Sequence, residues 1–226
     1  MIPYFQEDWV TLYCGDCRNV LPELEGTFSA IVTDPPWPGS EEKSNPGRSY
    51  DIYSDFSEAA LNFPKLSDRL IIILGCDTDP RFLMTVPKGY PFLLTCWLRR
   101  ITPTYKGHIL YGADVAYIFG TPRAREYAGP TGTGILQSET YSVSLRKRDT
   151  INTHPTFRPL RTMKWLVSHY TQEGEIILDP FSGSGTTLLA AKETGRKAIG
   201  IELEEKYCQI AAKRCSQSVM RFNSLQ

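Results

Sequence analysis

Residues 175–187 read Glu-Ile-Ile-Leu-Asp-Pro-Phe-Ser-Gly-Ser-Gly-Thr-Thr, and no other stretch of the chain narrows the possible folds so far. An apolar run of strand length ends in a turn with two glycines, and a helical pattern opens at once, closing at Gly195. A strand that passes into a helix through so tight a turn belongs to a βαβ unit, whose strands lie parallel. The rest of the chain repeats the theme. Apolar runs at 9–13, 28–33, 70–74, 92–96, 115–119, 176–178 and 197–201 read as buried strands. Helical patterns cover 159–170, with Leu160, Met163, Leu166, Val167 and Tyr170 on one face, then 186–194 and 204–216. The expected fold is therefore α/β: a Rossmann-like, doubly wound, seven-stranded and mostly parallel sheet.

A chain of 226 residues has room for one such domain with a full core. Its 16 prolines and 17 glycines collect partly in two polar segments, 38–57 and 121–151, that fit neither the strand nor the helix pattern. Each follows an expected strand end. Ligands of open α/β sheets bind beyond the carboxyl ends of the strands, so both segments are expected to overhang a site. No stretch reaches the roughly 18 to 20 apolar residues of a membrane span, and the opening Met-Ile-Pro-Tyr-Phe-Gln-Glu-Asp-Trp-Val has no targeting pattern, so a cytoplasmic address is expected. Six dispersed cysteines suit reduced thiols better than a disulfide framework. Formal net charge is zero, but residues 99–165 hold 11 Lys+Arg against 4 Asp+Glu while residues 1–98 hold 7 against 14. A polyanion is expected to bind the middle region.

The glycine turn has the character of a nucleoside-cofactor loop: its glycines let backbone approach a ligand closely before the helix begins. It is not a phosphate-binding P-loop, because Thr186 stands where that motif requires Lys, and the third glycine of a dinucleotide fingerprint is replaced by Leu188. Glu202, at the end of the following strand and 19 residues beyond Gly183, is where a carboxylate can accept both hydroxyls of a ribose. Asp179 can accept from a cationic amino group.

The second motif is Asp34-Pro35-Pro36-Trp37, at the end of the run Phe-Ser-Ala-Ile-Val-Thr. The exocyclic amine of a nucleobase is a poor nucleophile because its lone pair is delocalised into the ring, and two acceptors aimed at the NH2 would rehybridise it. The Asp34 carboxylate can be one. The Pro35 carbonyl can be the other, since Pro36 biases the residue before it to an extended conformation and both rings fix φ. Trp37 can stack on the base, which must leave a duplex to reach such a pocket.

With both motifs in this order, the chain resembles the β-class amino-methyltransferases of DNA, which carry a DPPY or DPPW motif near the amino terminus and FxGxG near the carboxyl terminus, matched here by Phe181, Gly183 and Gly185. His154-Pro155-Thr156-Phe157-Arg158-Pro159 resembles the family's HPTQKP segment, with Phe157 and Arg158 in place of Gln and Lys. Cys14-Gly15-Asp16-Cys17 resembles its GDC motif. The resemblance implies a circularly permuted class I methyltransferase fold, S-adenosyl-L-methionine as cofactor, and methylation of adenine N6 in DNA with the base flipped out. It implies Asp34, Pro35, Pro36 and Trp37 as catalytic residues. It assigns Asp16, Cys17, Asp34, His154, Thr156, Arg158, Asp179, Pro180, Phe181, Ser182, Gly183, Ser184, Gly185, Thr186, Thr187 and Glu202 to the cofactor. Lys43, Arg48, Arg123, Arg125, Arg146, Lys147 and Arg148 are the expected DNA contacts, and 121–151 is the expected target-recognition insertion of a single domain spanning 1–226. A homodimer is one assembly open to it.

The alternatives are cytosine N4 or an RNA base as target, and a nucleic-acid-binding relative without catalysis. Asp34 favours adenine, because N4-cytosine enzymes more often begin the tetrapeptide with Ser. A nicotinamide-dependent dehydrogenase would leave the DPPW motif without purpose. No metal is expected: Cys14 and Cys17 could be half a zinc site, but no second pair completes it. The lone His108 and His169 suit core or surface roles.

Overall fold

A computed structural model describes residues 1–36, 51–75, 78–106, 108–122, 135–137 and 158–217. Among these, nine strands form a single sheet: β1 Phe5–Gln6, β2 Val10–Cys14, β3 Ala30–Thr33, β4 Arg69–Leu74, β5 Phe92–Lys106, β6 Ile109–Gly120, β7 Ile135–Gln137, β8 Ile176–Asp179 and β9 Lys197–Glu202. Their order is β1-β2-β9-β8-β3-β4-β6-β5-β7. The central run from β2 through β9, β8 and β3 to β4 is parallel, and β6 runs antiparallel between β4 and β5. This is the expected mostly parallel, doubly wound sheet, with the glycine turn late in the chain.

All seven expected strands are present, and two more enlarge the sheet. β1 adds an antiparallel edge to β2 and is too short to show a period. β7 lies within 121–151, where the sequence reads as irregular, and pairs with β5 through Trp97↔Ile135 and Leu98↔Leu136. The other irregular segment, 38–57, is also corrected at its end. Helix α2, Ile52–Ala60, begins inside it, capped by the Asp51 side chain accepting from the Ser54 N–H at 3.2 Å. Its buried positions Ile52, Phe56, Ala59 and Ala60 have helical spacing, but cutting the segment at 57 divides them.

The remaining helices are α1 Cys17–Val20, α3 Phe63–Leu66, α4 Leu160–Tyr170, α5 Thr186–Glu193 and α6 Glu205–Cys215. β4 shows how the sheet separates two cores. Ile71 and Ile73 face the layer of α4, α5 and α6, where Met163, Leu166, Leu188, Ala191 and Ala211 are buried. Leu70, Ile72 and Leu74 face the other layer, with Phe56, Phe63 and Phe82. A strand covered on both faces has no polar side to alternate with, so it reads as a continuous apolar run. No helix among the described residues is long and apolar enough to cross a membrane.

The site is positioned by the switch in winding direction. From β8 the chain crosses through α5 to β9 on one side, while β3 neighbours β8 on the other and leads toward β4. The loops leaving β3 and β8 therefore diverge and open a crevice at their carboxyl ends. A hydrogen bond from Thr33 Oγ1 to Asp179 Oδ1, 2.9 Å, ties the two strand ends together at its floor.

Candidate active site

The glycine turn leaves β8 through Asp179, Pro180 and Phe181. Asp179 is buried, and its Oδ1 also accepts from the Phe181 N–H at 3.1 Å. Gly183 and Gly185 have φ of 52° and 77°, a conformation costly for any residue with a Cβ. Space decides as well at Gly185, where an added Cβ would lie 2.8 Å from the Ala211 Cβ on α6. The turn is braced from the same helix: buried Arg214 donates to the Ser184 carbonyl at 2.6 Å and to Thr186 Oγ1 at 3.0 Å. Phe181 stacks on Phe56 of α2, centroids 5.7 Å apart. Thr186 and Thr187 open α5 and are buried.

Glu202 ends β9 beside this turn. Its Oε2 accepts from the Gly183 N–H and its Oε1 from the Glu204 N–H, each at 2.8 Å. One hydrogen bond to each oxygen fixes the carboxylate and leaves further lone pairs for a ligand. Burial pushes the Glu202 carboxyl up to about 7, against the lowering effect of these two backbone bonds. Burial likewise raises Asp179 to about 6, opposed by hydrogen bonds from Thr187, Thr33 and Phe181. Two carboxylates held above their ordinary range at adjoining strand ends favour a ligand that brings positive charge and hydroxyl donors.

Asp16 joins them from β2, because the Gly15 N–H donates to the Glu202 carbonyl at 2.8 Å. It caps α1 by accepting from the Arg18 N–H at 2.9 Å, and the Arg18 guanidinium covers both its oxygens before reaching Asp55 of α2 at 2.5 Å. The hydrogen bonding of its guanidinium to Asp16 is the main reason the Arg18 pKa is raised. Cys17 is buried in the core beside Val20 and Leu21, and burial pushes its thiol up to about 12.

Asp34 leaves β3 at the crevice floor, followed by buried Pro35 and exposed Pro36. Arg158 meets it from the turn before α4, Nε to Oδ2 at 2.6 Å and Nη2 to Oδ1 at 2.9 Å. The third edge of the same guanidinium donates to Asp114 Oδ2 of β6 at 2.5 Å. Burial works against the charge of Arg158, but the two carboxylates outweigh it and its pKa stands above the ordinary value. Trp37, Lys43, Arg48, Arg123, Arg125, Arg146, Lys147, Arg148, His154 and Thr156 lie outside the described residues. The structure thus brings Asp16, Asp34, Asp179 to Thr187 and Glu202 around one crevice, and turns Arg158 toward Asp34.

Four residues of the site escape the sequence reading. Thr33 reads as part of a buried strand, and Phe56 lies in the segment that reads as irregular. Arg214 shows only helical spacing in α6. Asp114 does carry a signal, as a lone acid immediately before the apolar run 115–119, which calls for a partner once the strand is buried.

The family model described as DNA methylase matches residues 96–213. This chain belongs to that family, the N6-adenine and N4-cytosine DNA methyltransferases. It is 29% identical over 211 residues to the Escherichia coli (strain K12) protein named "Putative methylase YubD", covering 88% of this chain and 87% of that one. Two type II methyltransferases, M2.DpnII of Streptococcus pneumoniae and M2.LlaDCHI of Lactococcus lactis, match at 49% and 47% identity over 61 and 64 residues, which are 23% and 24% of their own lengths. Among solved structures, the complex of M1.HpyAVI with SAM superposes with a TM-score of 0.65 at 21% identity, covering 92% of this chain and all of that one. The cytosine-N4-specific PvuII DNA methyltransferase gives 0.68 at 18%, covering 99% and 90%, a likeness of fold. The methyl donor of the family is S-adenosylmethionine. The acidic, hydroxyl-accepting pocket of Asp179 and Glu202 fits its cationic amino group and ribose diol.

Proposed function

We propose that this DNA methyltransferase acts on the N6 amine of adenine. The observation that carries the reading is Asp34: a carboxylate, rather than a serine hydroxyl, at the floor of the crevice and next to the cofactor pocket. Asp34 accepts one N–H of the amine and the Pro35 carbonyl accepts the other, which turns the nitrogen lone pair out of conjugation. Positive charge grows on the nitrogen during transfer, and the carboxylate both stabilises it and takes the departing proton. Trp37 stacks on the base, offsetting part of the few kcal/mol needed to flip it from the duplex.

S-adenosylmethionine supplies an electrophilic methyl group on its sulfonium. Glu202 accepts from the ribose hydroxyls, Asp179 holds the amino group, Asp16 approaches the adenine ring, and residues 180–187 shape the pocket. His154 and Thr156 hold the methionine end. With these groups in place, the protein's task is alignment, which can lower a barrier by several kcal/mol. Lys43, Arg48, Arg123, Arg125, Arg146, Lys147 and Arg148 contact DNA phosphates, and the 121–151 insertion reads the target.

The test is modification-sensitive sequencing of DNA from cells that express the chain. N6-methyladenine in a defined sequence context is the expected result, and N4-methylcytosine or unmodified DNA would overturn the adenine assignment.

A further inference from the structure

Three charged side chains are packed together behind the reacting centre. Arg158 and Asp114 are 8% and 7% exposed, and Asp34 is 17% exposed. As a device for stability this is poor, because desolvation consumes most of the Coulombic gain of a buried ion pair and apolar packing does as well. As a device for aiming a carboxylate it is well made. The guanidinium is a rigid planar fork, and it engages both oxygens of Asp34 along one edge. That pairing fixes the plane of the carboxylate.

The fork has an anchor on the sheet, although Arg158 itself lies just before α4 and in no strand or helix. Asp114 provides it. Its neighbour Val115 pairs with Leu74 in the β4–β6 ladder, so Asp114 stands on the rigid sheet just past the last described rung.

We infer that Asp114, acting through Arg158, is a positioning residue that orients the Asp34 carboxylate toward the target amine. The inference rests on the reading of Asp34 as the amine acceptor.

The experiment is a double-mutant cycle on the full chain: Asp114→Asn, Arg158→Gln and the pair, with kcat on duplex DNA and cofactor affinity by calorimetry. Each single change should lower kcat roughly 10- to 100-fold, as expected for a misaimed reacting group. Cofactor Kd should stay within about twofold, since only alignment is disturbed. The pair should be no slower than the slower single variant, because both act on one carboxylate. Asp34 faces Arg158 across the ion pair and Asp179 from the end of β8, so removing the cation leaves an acidic neighbour. The acidic limb of the kcat profile in Arg158→Gln should therefore move upward by about one pH unit or more. A purely structural role would not move that limb.

Wild-type kcat in Asp114→Asn, multiplicative losses in the pair, or an unmoved acidic limb would overturn the inference. If Asp114→Asn does not fold, Arg158→Lys is measured in its place. It keeps the charge without the fork and should lose kcat with little change in the limb, and wild-type kcat there would overturn the inference equally. Asp34→Asn separates the two readings. If it abolishes transfer while Asp114→Asn does not, only the positioning role fails; if it turns over normally, the assignment of Asp34 fails with it.

Discussion

The carboxylates of the crevice are held in two different ways. Asp179 and Glu202 are stabilised by hydrogen bonds from backbone and threonine groups, with no ion pair among the described residues, and burial raises them to about 6 and 7. Asp34, at the end of the adjoining strand, is held by a buried guanidinium. The first pair leaves its electrostatic demand for a ligand to satisfy. The second is satisfied before any ligand arrives, so it can present a fixed geometry to a neutral amine. One crevice thus combines a pocket that draws in a cation with an acceptor whose direction is set in advance.

The sharpest way to break this contrast is Asp34→Ala. Methyl transfer should fall by about 10²- to 10⁴-fold, the range for loss of a positioned proton acceptor, while calorimetry shows the cofactor still bound. Turnover near wild type would remove the distinction. On the other side, Glu202→Ala should weaken the cofactor by roughly 1.5 to 3 kcal/mol for each charge-assisted hydrogen bond lost, measured by the same calorimetry. An unchanged affinity would mean the ribose is held elsewhere.

The contrast extends to the basic region, which we propose serves the polyanion rather than the cofactor. Replacing Arg146, Lys147 and Arg148 together by alanine should lower the slope of log K for DNA against log salt by up to about 3, with cofactor affinity intact. Binding titrations at several salt concentrations measure it, and an unchanged slope would shift the phosphate contacts toward Lys43 and Arg48.

The smallest effect concerns pH. In the proposed role, ribose hydroxyls donate to the ionised form of Glu202, which couples cofactor binding to proton loss from a group at about 7. Affinity should be full above that value and decline as pH falls through it, approaching tenfold per unit below. Glu202→Gln cannot titrate and should flatten the profile between about pH 6 and 8, leaving only the contribution of Asp179 at the acid end. A wild-type profile flat over that range would show that Glu202 does not accept from the ligand.

What the sequence determined by itself is local. Strands buried on both faces announce themselves as apolar runs, which is why all seven expected strands are found within a few residues or as parts of longer ones. The glycine turn and Asp34-Pro35 carry their chemistry in consecutive residues, so their location at strand ends was readable before any contact was known. Two elements were not: β7 exists through backbone pairing with β5, and the apolar face of α2 straddles the end of a polar segment rich in glycine and proline.

Only the tertiary structure decided what lies against what. Thr33 meets Asp179 across 146 positions of sequence, and Arg158 meets Asp34 across 124 and Asp114 across 44. No periodicity encodes such pairs, because they arise where separate strands and turns converge at the switch in winding. Resemblance alone directs Arg158 to the cofactor. In the folded chain its guanidinium pairs with Asp34 and with buried Asp114, since a charge in a low-dielectric interior pairs with the acids that the sheet brings within reach.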